Sequence, residues 1–141
     1  MMSTNLKKYG FRDWLEIETD HAHNEELFRL KLPKRKDRGV YVIKASRAIV
    51  RIKAESDIIY IGQGEIKKRI RALVKSFLPV GYGLCGKHTA REGFERVMKE
   101  LNLKLALCYR IIENPREEER QLLRAYCNDH IEPPPLNHTR R

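Results

Sequence analysis

Glu119 is a carboxylate on the apolar side of a helix. At about 100° per residue, Leu122, Leu123 and Tyr126 define one stripe, and Glu119 projects onto its middle. Glu117 points the opposite way and Glu118 lies near the edge. A carboxylate turned toward a core loses hydration and must find a partner. Two partners suit it: an Arg or Lys in a buried ion pair, or a metal ion at the floor of a site. Two tyrosines stand on apolar, strand-like runs, Arg38-Gly39-Val40-Tyr41-Val42-Ile43 and Asp57-Ile58-Ile59-Tyr60-Ile61-Gly62. Tyrosines on paired strands are ordinary sheet residues. Here Gly39 and Gly62 also leave room for a ligand or another backbone to approach. A phenol accepts a proton when a cation lowers its pKa. Arg69 lies at the border of an apolar helical stripe, where a guanidinium can reach a sheet edge; Lys68 and Lys75 lie well away from it. A solvated cation on a basic helix is the plainer reading of such a residue. Asn137 closes Pro133-Pro134-Pro135-Leu136-Asn137, where a turn residue is common.

The elements that must position these residues follow from periodicity. Strands over roughly 39–45 and 57–62 are expected to be antiparallel neighbours, with Ala48 to Ile52 extending the hairpin or forming a short piece of their own. Ile66, Ile70, Leu73, Val74 and Phe77 recur at helical spacing over about 65–77, and Pro79 and Gly81 end that helix. Gly81 to Gly86 reads as a loop. Thr89 and Glu92 form a capping box for a second helix that buries Phe94, Val97, Met98 and Leu101. Leu103 to Ile112 reads as a strand with Leu103, Leu105, Leu107, Tyr109 and Ile111 on one face. The last helix has Asn114 as N-cap, Pro115 in the first helical position and Glu117 completing a box; the prolines from 133 prevent its continuation. Upstream, Leu6, Tyr9, Trp14, Leu15 and Ile17 suggest a short helix. Phe28, Leu30 and Leu32 alternate with Arg29 and Lys31, as in an extended segment.

The chain of 141 residues has the size of one domain and can bury a core without disulfides or structural metal. Its 29 Lys and Arg against 19 Asp and Glu give a formal charge of +10, which attracts polyanions. No apolar run approaches membrane-spanning length and the N-terminus has no apolar signal core, so a membrane partner is not expected. An odd count of three cysteines is no disulfide framework, which points to a reduced, cytoplasmic protein.

Taken in order, Gly39-Val40-Tyr41, Tyr60-Ile61-Gly62, the basic helix with Arg69, Glu119 ahead of Leu122-Leu123, and Leu136-Asn137 after the prolines resemble the GIY-YIG nuclease domain. The resemblance covers about residues 37–137; the stretch between the tyrosines is longer than is usual for the family. It implies an α+β fold with a small three-stranded, mainly antiparallel sheet flanked by helices. The implied order is strand-strand-helix-helix-strand-helix, with residues 1–36 as an N-terminal extension packed on a nuclease-like domain at 37–141. It also implies a divalent-metal-dependent endonuclease acting on duplex or branched DNA, without a small-molecule substrate. Glu119 would hold one Mg²⁺ or Mn²⁺ ion; one of Tyr41 and Tyr60, here Tyr41, would deprotonate the attacking water while the other supports it. Arg69 would clamp the scissile phosphate, a role for which a planar fork suits Arg better than Lys, with Lys68 or Arg71 as alternatives. Asn137 would hydrogen-bond within the site and keep its shape. Lys34, Arg35, Lys36, Lys67, Lys68, Arg71 and Lys75 would bind backbone phosphates without reading sequence.

Three other readings stand beside this one. The chain could keep the fold as a non-catalytic basic module binding DNA or RNA, or be a small basic RNA- or ribosome-associated protein. Cys85 with His88 and Cys127 with His130 are two Cys-x-x-His pairs that could supply four zinc ligands, although buried free cysteines are ordinary.

Overall fold

A computed structural model of the chain describes residues 2–11, 13–17, 21–75 and 101–137. Strand β2, Arg38–Val50, lies inside the sheet. Its segment Val40-Tyr41-Val42-Ile43 is apolar without alternation, and all four residues are 0% exposed. Such a run suits a strand covered on both faces. β2 forms a hairpin with β3, Glu55–Glu65, and pairs on its other side with β4, Leu105–Ile111. β1, Leu15–Ile17, pairs in turn with β4. All pairings are antiparallel and the order is β1-β4-β2-β3.

The sheet therefore has four strands where the sequence leads to three. The added strand is β1, in the segment read as part of a short helix; that helix is the 3-10 helix Ser3–Tyr9, which ends at Gly10 with φ of 85°. Three residues are too few to display a period of two, and the free side of β4 supplies their partner, with Leu15 opposite Leu107 and Ile17 opposite Leu105. The chain order differs accordingly, because a strand and helix α1, His21–Glu26, precede the hairpin. α1 winds on into a π-helical turn, Leu27–Lys31, closed by the Leu32 N–H donating to the Leu27 carbonyl at 3.1 Å. The extended reading of this segment fails because Leu27, Phe28 and Leu32 are buried while Leu30 is exposed: this is a helical spacing, not an alternation. The loop at 81–86 and the helix expected from Thr89 and Glu92 lie outside the described residues.

Helices cover both faces of the sheet. On one face α2, Ile66–Lys75, lays Ile66, Ile70 and Leu73 against Tyr41, Ile43, Ile59 and Leu107. On the other, α3, Pro115–His130, lays Leu122 and Tyr126 against Val40, Val42, Ile58 and Ile61, with Leu6 and Phe11 alongside. The start of α3 keeps Pro115 in its first turn, but no side chain caps it from Asn114. Glu117 does not close the expected box; it accepts from Arg120 at 3.2 Å and Gln121 at 3.4 Å instead. No helix among the described residues is long and apolar enough to cross a membrane.

The hairpin departs from regular pairing at two places. Tyr41 lies opposite Gly62 and Ile43 opposite Tyr60, but Lys44 lies opposite Ile58. Ile59 is thus an extra residue in β3, and this bulge turns Ile59 and Tyr60 toward the same core. Beyond Lys44 the β2–β3 pairing lapses until Ile49 meets Ser56, so the hairpin is long, as the Ala48–Ile52 segment suggested. Its tip folds onto the end of α3. The Lys53 N–H donates to the His130 carbonyl, and His130 Nδ1 lies 2.8 Å from the Lys53 carbonyl oxygen. Arg51 pairs with Glu132 at 3.0 Å and donates to the Pro133 carbonyl at 2.6 Å.

Arg51 is therefore a stability residue far along the chain from the segment it holds. Arg51→Ala leaves Glu132 and the Pro133 carbonyl without this partner. We expect a loss of about 1.5–3 kcal/mol, the range for hydrogen bonds to charged groups, read from urea unfolding. A change near zero would mean that His130 and the backbone bonds hold the tip unaided.

Candidate active site

A cleft of about 710 Å³ opens where β3 ends and α2 begins, lined by Lys36, Arg38, Tyr60, Gln63, Gly64, Glu65, Lys68, Arg69 and Glu119. The chain passes from Glu65 in β3 directly into Ile66 of α2, and the Ile66 N–H donates to the Asp37 carbonyl. Arg69 therefore stands one turn into a helix that leaves the sheet at this point. A Cβ on Gly64 would lie 3.5 Å from Arg69 Cγ, so the arginine stem runs over the glycine. Gly64 has φ of 131°, a conformation that side-chain-bearing residues rarely adopt.

The two tyrosines meet at this end of the sheet, their ring centroids 6.0 Å apart and tilted by 35°. Gly62 makes the arrangement sterically feasible. A Cβ there would come within 2.5 Å of Tyr41 Cζ and 2.8 Å of Tyr60 Cε2. Arg69 is within hydrogen-bonding reach of both phenols, and their oxygens more than offset the burial that works against its charge. The tyrosines differ in setting. Tyr41 is 0% exposed, and burial pushes its phenol far above the usual range, with Tyr60 adding to the rise and Arg69 opposing it. Tyr60 lines the cleft. A proton acceptor has to reach water and has to ionise at an accessible pH. Burial keeps Tyr41 from the first condition and works against the second, whereas Tyr60, 7% exposed, lines the cleft.

Glu119 comes to the cleft from the opposite face of the sheet. Burial raises its carboxyl above the ordinary range, and the Arg69, Arg116 and Arg120 cations pull it back down without cancelling the rise. Its neighbour Glu118 is turned elsewhere, bound to Arg110 at 2.7 Å. Asn137 does not line the cleft. Its Oδ1 accepts from the Ile61 N–H at 2.9 Å and its Nδ2 donates to the Ile61 carbonyl at 2.8 Å, while the Leu136 N–H donates to the Ile59 carbonyl. The side-chain amide thus completes the outer edge of the Tyr60-Ile61-Gly62 segment.

The basic residues separate by position. Lys36 and Lys68 line the cleft, and Lys34 and Arg35 are exposed on the turn just before it. Lys36 has φ of 77°, and its N–H donates to the Glu65 carboxylate at 2.7 Å. Lys67 is partly buried outside the lining. Arg71 is not in the cleft, since its guanidinium stacks over the Phe28 ring at 5.1 Å. This leaves Arg69 rather than Arg71 beside the phenols. The Lys75 side chain lies outside the described residues. Sequence reasoning did not single out Arg38, Gln63 and Glu65 as site residues; the signal available was their place at paired strand ends, Arg38 facing Glu65 across the hairpin.

Of the two Cys-x-x-His pairs, Cys85 and His88 lie outside the described residues. His130 is 1% exposed and engaged with the hairpin tip and the Tyr126 ring. Cys108 is buried as well, and burial pushes its thiol up to about 12.

The contact between Gly62 and the phenols gives a direct test. Gly62→Ala forces a methyl into the space of the Tyr41 ring, and overpacking of this kind costs about 1–3 kcal/mol. In a Tyr41→Leu background the same change should cost clearly less, which a double-mutant cycle of urea unfolding measures. Equal costs in both backgrounds would separate the glycine from the tyrosine.

No protein-family model, curated protein or solved structure matches this chain.

Proposed function

We propose that the chain is a divalent-metal-dependent DNA endonuclease and that the cleft is its active site. One observation carries the reading. A half-buried carboxylate, an arginine and a phenol share one cleft, and two lysines and a second arginine line it as well. Salt-bridge chemistry alone does not explain that set, because the cations there outnumber the carboxylates. A polyanion compensates the surplus, and the +10 charge of the chain attracts one from a distance.

The donors available to a cation are hard oxygens, with Glu119 the central carboxylate. No group of three metal-ligating His, Cys, Asp or Glu side chains occurs among the described residues. A single carboxylate suits Mg²⁺ or Mn²⁺, since Mg²⁺ keeps several waters and takes further oxygens from substrate phosphates. Glu119 would hold such an ion, which would supply neutralisation of the charge that builds on the phosphate. Arg69 binds the scissile phosphate through its planar fork. Tyr60 receives the proton of the attacking water, and Tyr41 fixes Tyr60 and Arg69 in place from beneath. Lys36, Arg38 and Lys68 hold flanking phosphates and carry no sequence information.

Glu119→Gln should abolish metal-dependent cutting of plasmid, linear and branched DNA while leaving DNA binding largely intact. The raised carboxyl means that the folded state holds this proton more tightly than the unfolded state does. Its contribution to stability is full below the unfolded pKa and is lost as the pH rises through the folded one. At pH 7 without metal the amide variant should therefore be at least as stable as the wild type. A loss of about 3–5 kcal/mol would mark a structural ion pair with Arg69 instead. Binding without cutting by the wild-type chain, in either Mg²⁺ or Mn²⁺, would leave the non-catalytic module.

Arg69→Ala should lower the single-turnover rate by about 10²–10³-fold, the cost of removing one preorganised electrostatic group. Arg69→Lys should recover little of it. Arg71→Ala should keep the rate and lose about 0.5–1 kcal/mol of stability with its stacking on Phe28. The reverse pattern would move the clamp to Arg71.

A further inference from the structure

Gln63 is a partly exposed polar residue that interrupts an apolar face. It lies two residues beyond Ile61 and opposite Val40, both 0% exposed, on the face of the sheet where apolar side chains pack under α3. A valine or leucine would continue that surface. Instead a carboxamide lines the cleft, and its Oε1 is buried without a hydrogen bond. Arg69 Nε, in the same cleft, is likewise buried without one. An orphan acceptor and an orphan donor therefore sit on two residues that line one cleft, and buried polar groups of this kind call for an explanation.

Their opposite senses narrow what would satisfy them. A phosphodiester has acceptors and no donor, so it satisfies Arg69 and leaves the Gln63 oxygen unpaired. The Gln63 oxygen needs an O–H or N–H. A water beside the phosphate offers one, and a glutamine that orients an attacking water is an established device in phosphoryl transfer.

The geometry points to Gln63 as the residue that orients the attacking water, its carboxamide oxygen accepting one hydrogen bond from that water while Arg69 holds the phosphate. This rests on the nuclease reading of the cleft. In the step, the water oxygen bonds to phosphorus as the bond from phosphorus to the leaving oxygen breaks. One water proton stays hydrogen-bonded to Gln63 as part of the new phosphate hydroxyl. The other passes to the Tyr60 oxygen as the phenol gives its own proton on to solvent, and the leaving oxygen takes a proton from solvent. Gln63 itself neither gains nor loses one. Turned the other way round, the carboxamide would offer an N–H to the phosphate in place of an acceptor to the water.

Two variants separate these roles in the full chain. Gln63→Met keeps the length and removes both polar atoms. Gln63→Glu keeps the acceptor oxygen and removes the N–H. The measurements are single-turnover cleavage with Mg²⁺, DNA affinity without metal, and the thermal midpoint. We expect Gln63→Met to cut about 10²-fold more slowly, the scale of a misplaced reactant, with unchanged affinity and a midpoint no lower than wild type. Gln63→Glu should regain much of that rate. Wild-type cutting by Gln63→Met, or a fall in its midpoint that accompanies the rate loss, overturns the role. Weakened DNA binding in Gln63→Met overturns it in favour of a phosphate contact. If the wild type cuts no DNA with Mg²⁺ or Mn²⁺, the nuclease reading falls and this role with it. If the wild type cuts and Gln63→Met cuts equally, only the role of Gln63 falls.

Discussion

The Tyr41 ring, buried across Gly62 between the sheet and α2, is the constraint on which the site depends. It fixes the register of β2 against β3, because a shift by one residue would send the ring to the opposite face of the sheet. It requires a glycine at its partner position, since a methyl there would overlap the phenol. It presents a hydroxyl to Arg69 from below, which gives a long and otherwise mobile side chain a reason to adopt one position. The Ile59 bulge then brings Tyr60 to the same side. Remove the ring and the glycine, the bulge and the arginine lose their common reference.

A second constraint acts from outside the sheet. β3 is an edge strand in the sheet order, and edge strands offer unpaired backbone groups to any other strand. Here Leu136 and Asn137 occupy Ile59 and Ile61 of that edge. The amide of Asn137 copies the donor and acceptor of a neighbouring strand residue. The proline string feeding it is held in turn by Arg51 at the hairpin tip. The stretch between Tyr41 and Tyr60 thus has a structural use: it reaches the end of α3.

Legibility in the sequence followed the range of the interaction. The two motif strands, α2, the last strand and α3 came from local periodicity. Glu119 came from one projection, because a charge on an apolar stripe is a local contradiction. What could not be read depended on partners distant in sequence. β1 is three residues long and becomes a strand because β4 leaves a side open. Phe28, Leu30 and Leu32 alternate with Arg29 and Lys31 as letters, but the π turn buries Leu27 and Phe28 as neighbours and leaves Leu30 exposed. Asn114 and Glu117 match a capping box, yet Glu117 has Arg120 and Gln121 within reach and takes them. Tyr41 and Tyr60 look equivalent as letters; their difference in access, 0% against 7% exposed, exists only in the folded sheet. Arg38 and Gln63 entered the cleft through strand register, which composition does not encode.

The β1–β4 pairing bears on how the protein comes into being. It joins segments near opposite ends of the sequence, and Tyr60, Arg69 and Glu119 are likewise drawn from separate stretches. Contacts of such span incur loop closure before they contribute any stability, which slows folding. Glu119 joins Arg69 and Tyr60 in the cleft only through long-range packing. Under the proposed nuclease reading, cutting is thereby confined to the finished fold: a half-folded copy keeps the charge and lacks the site.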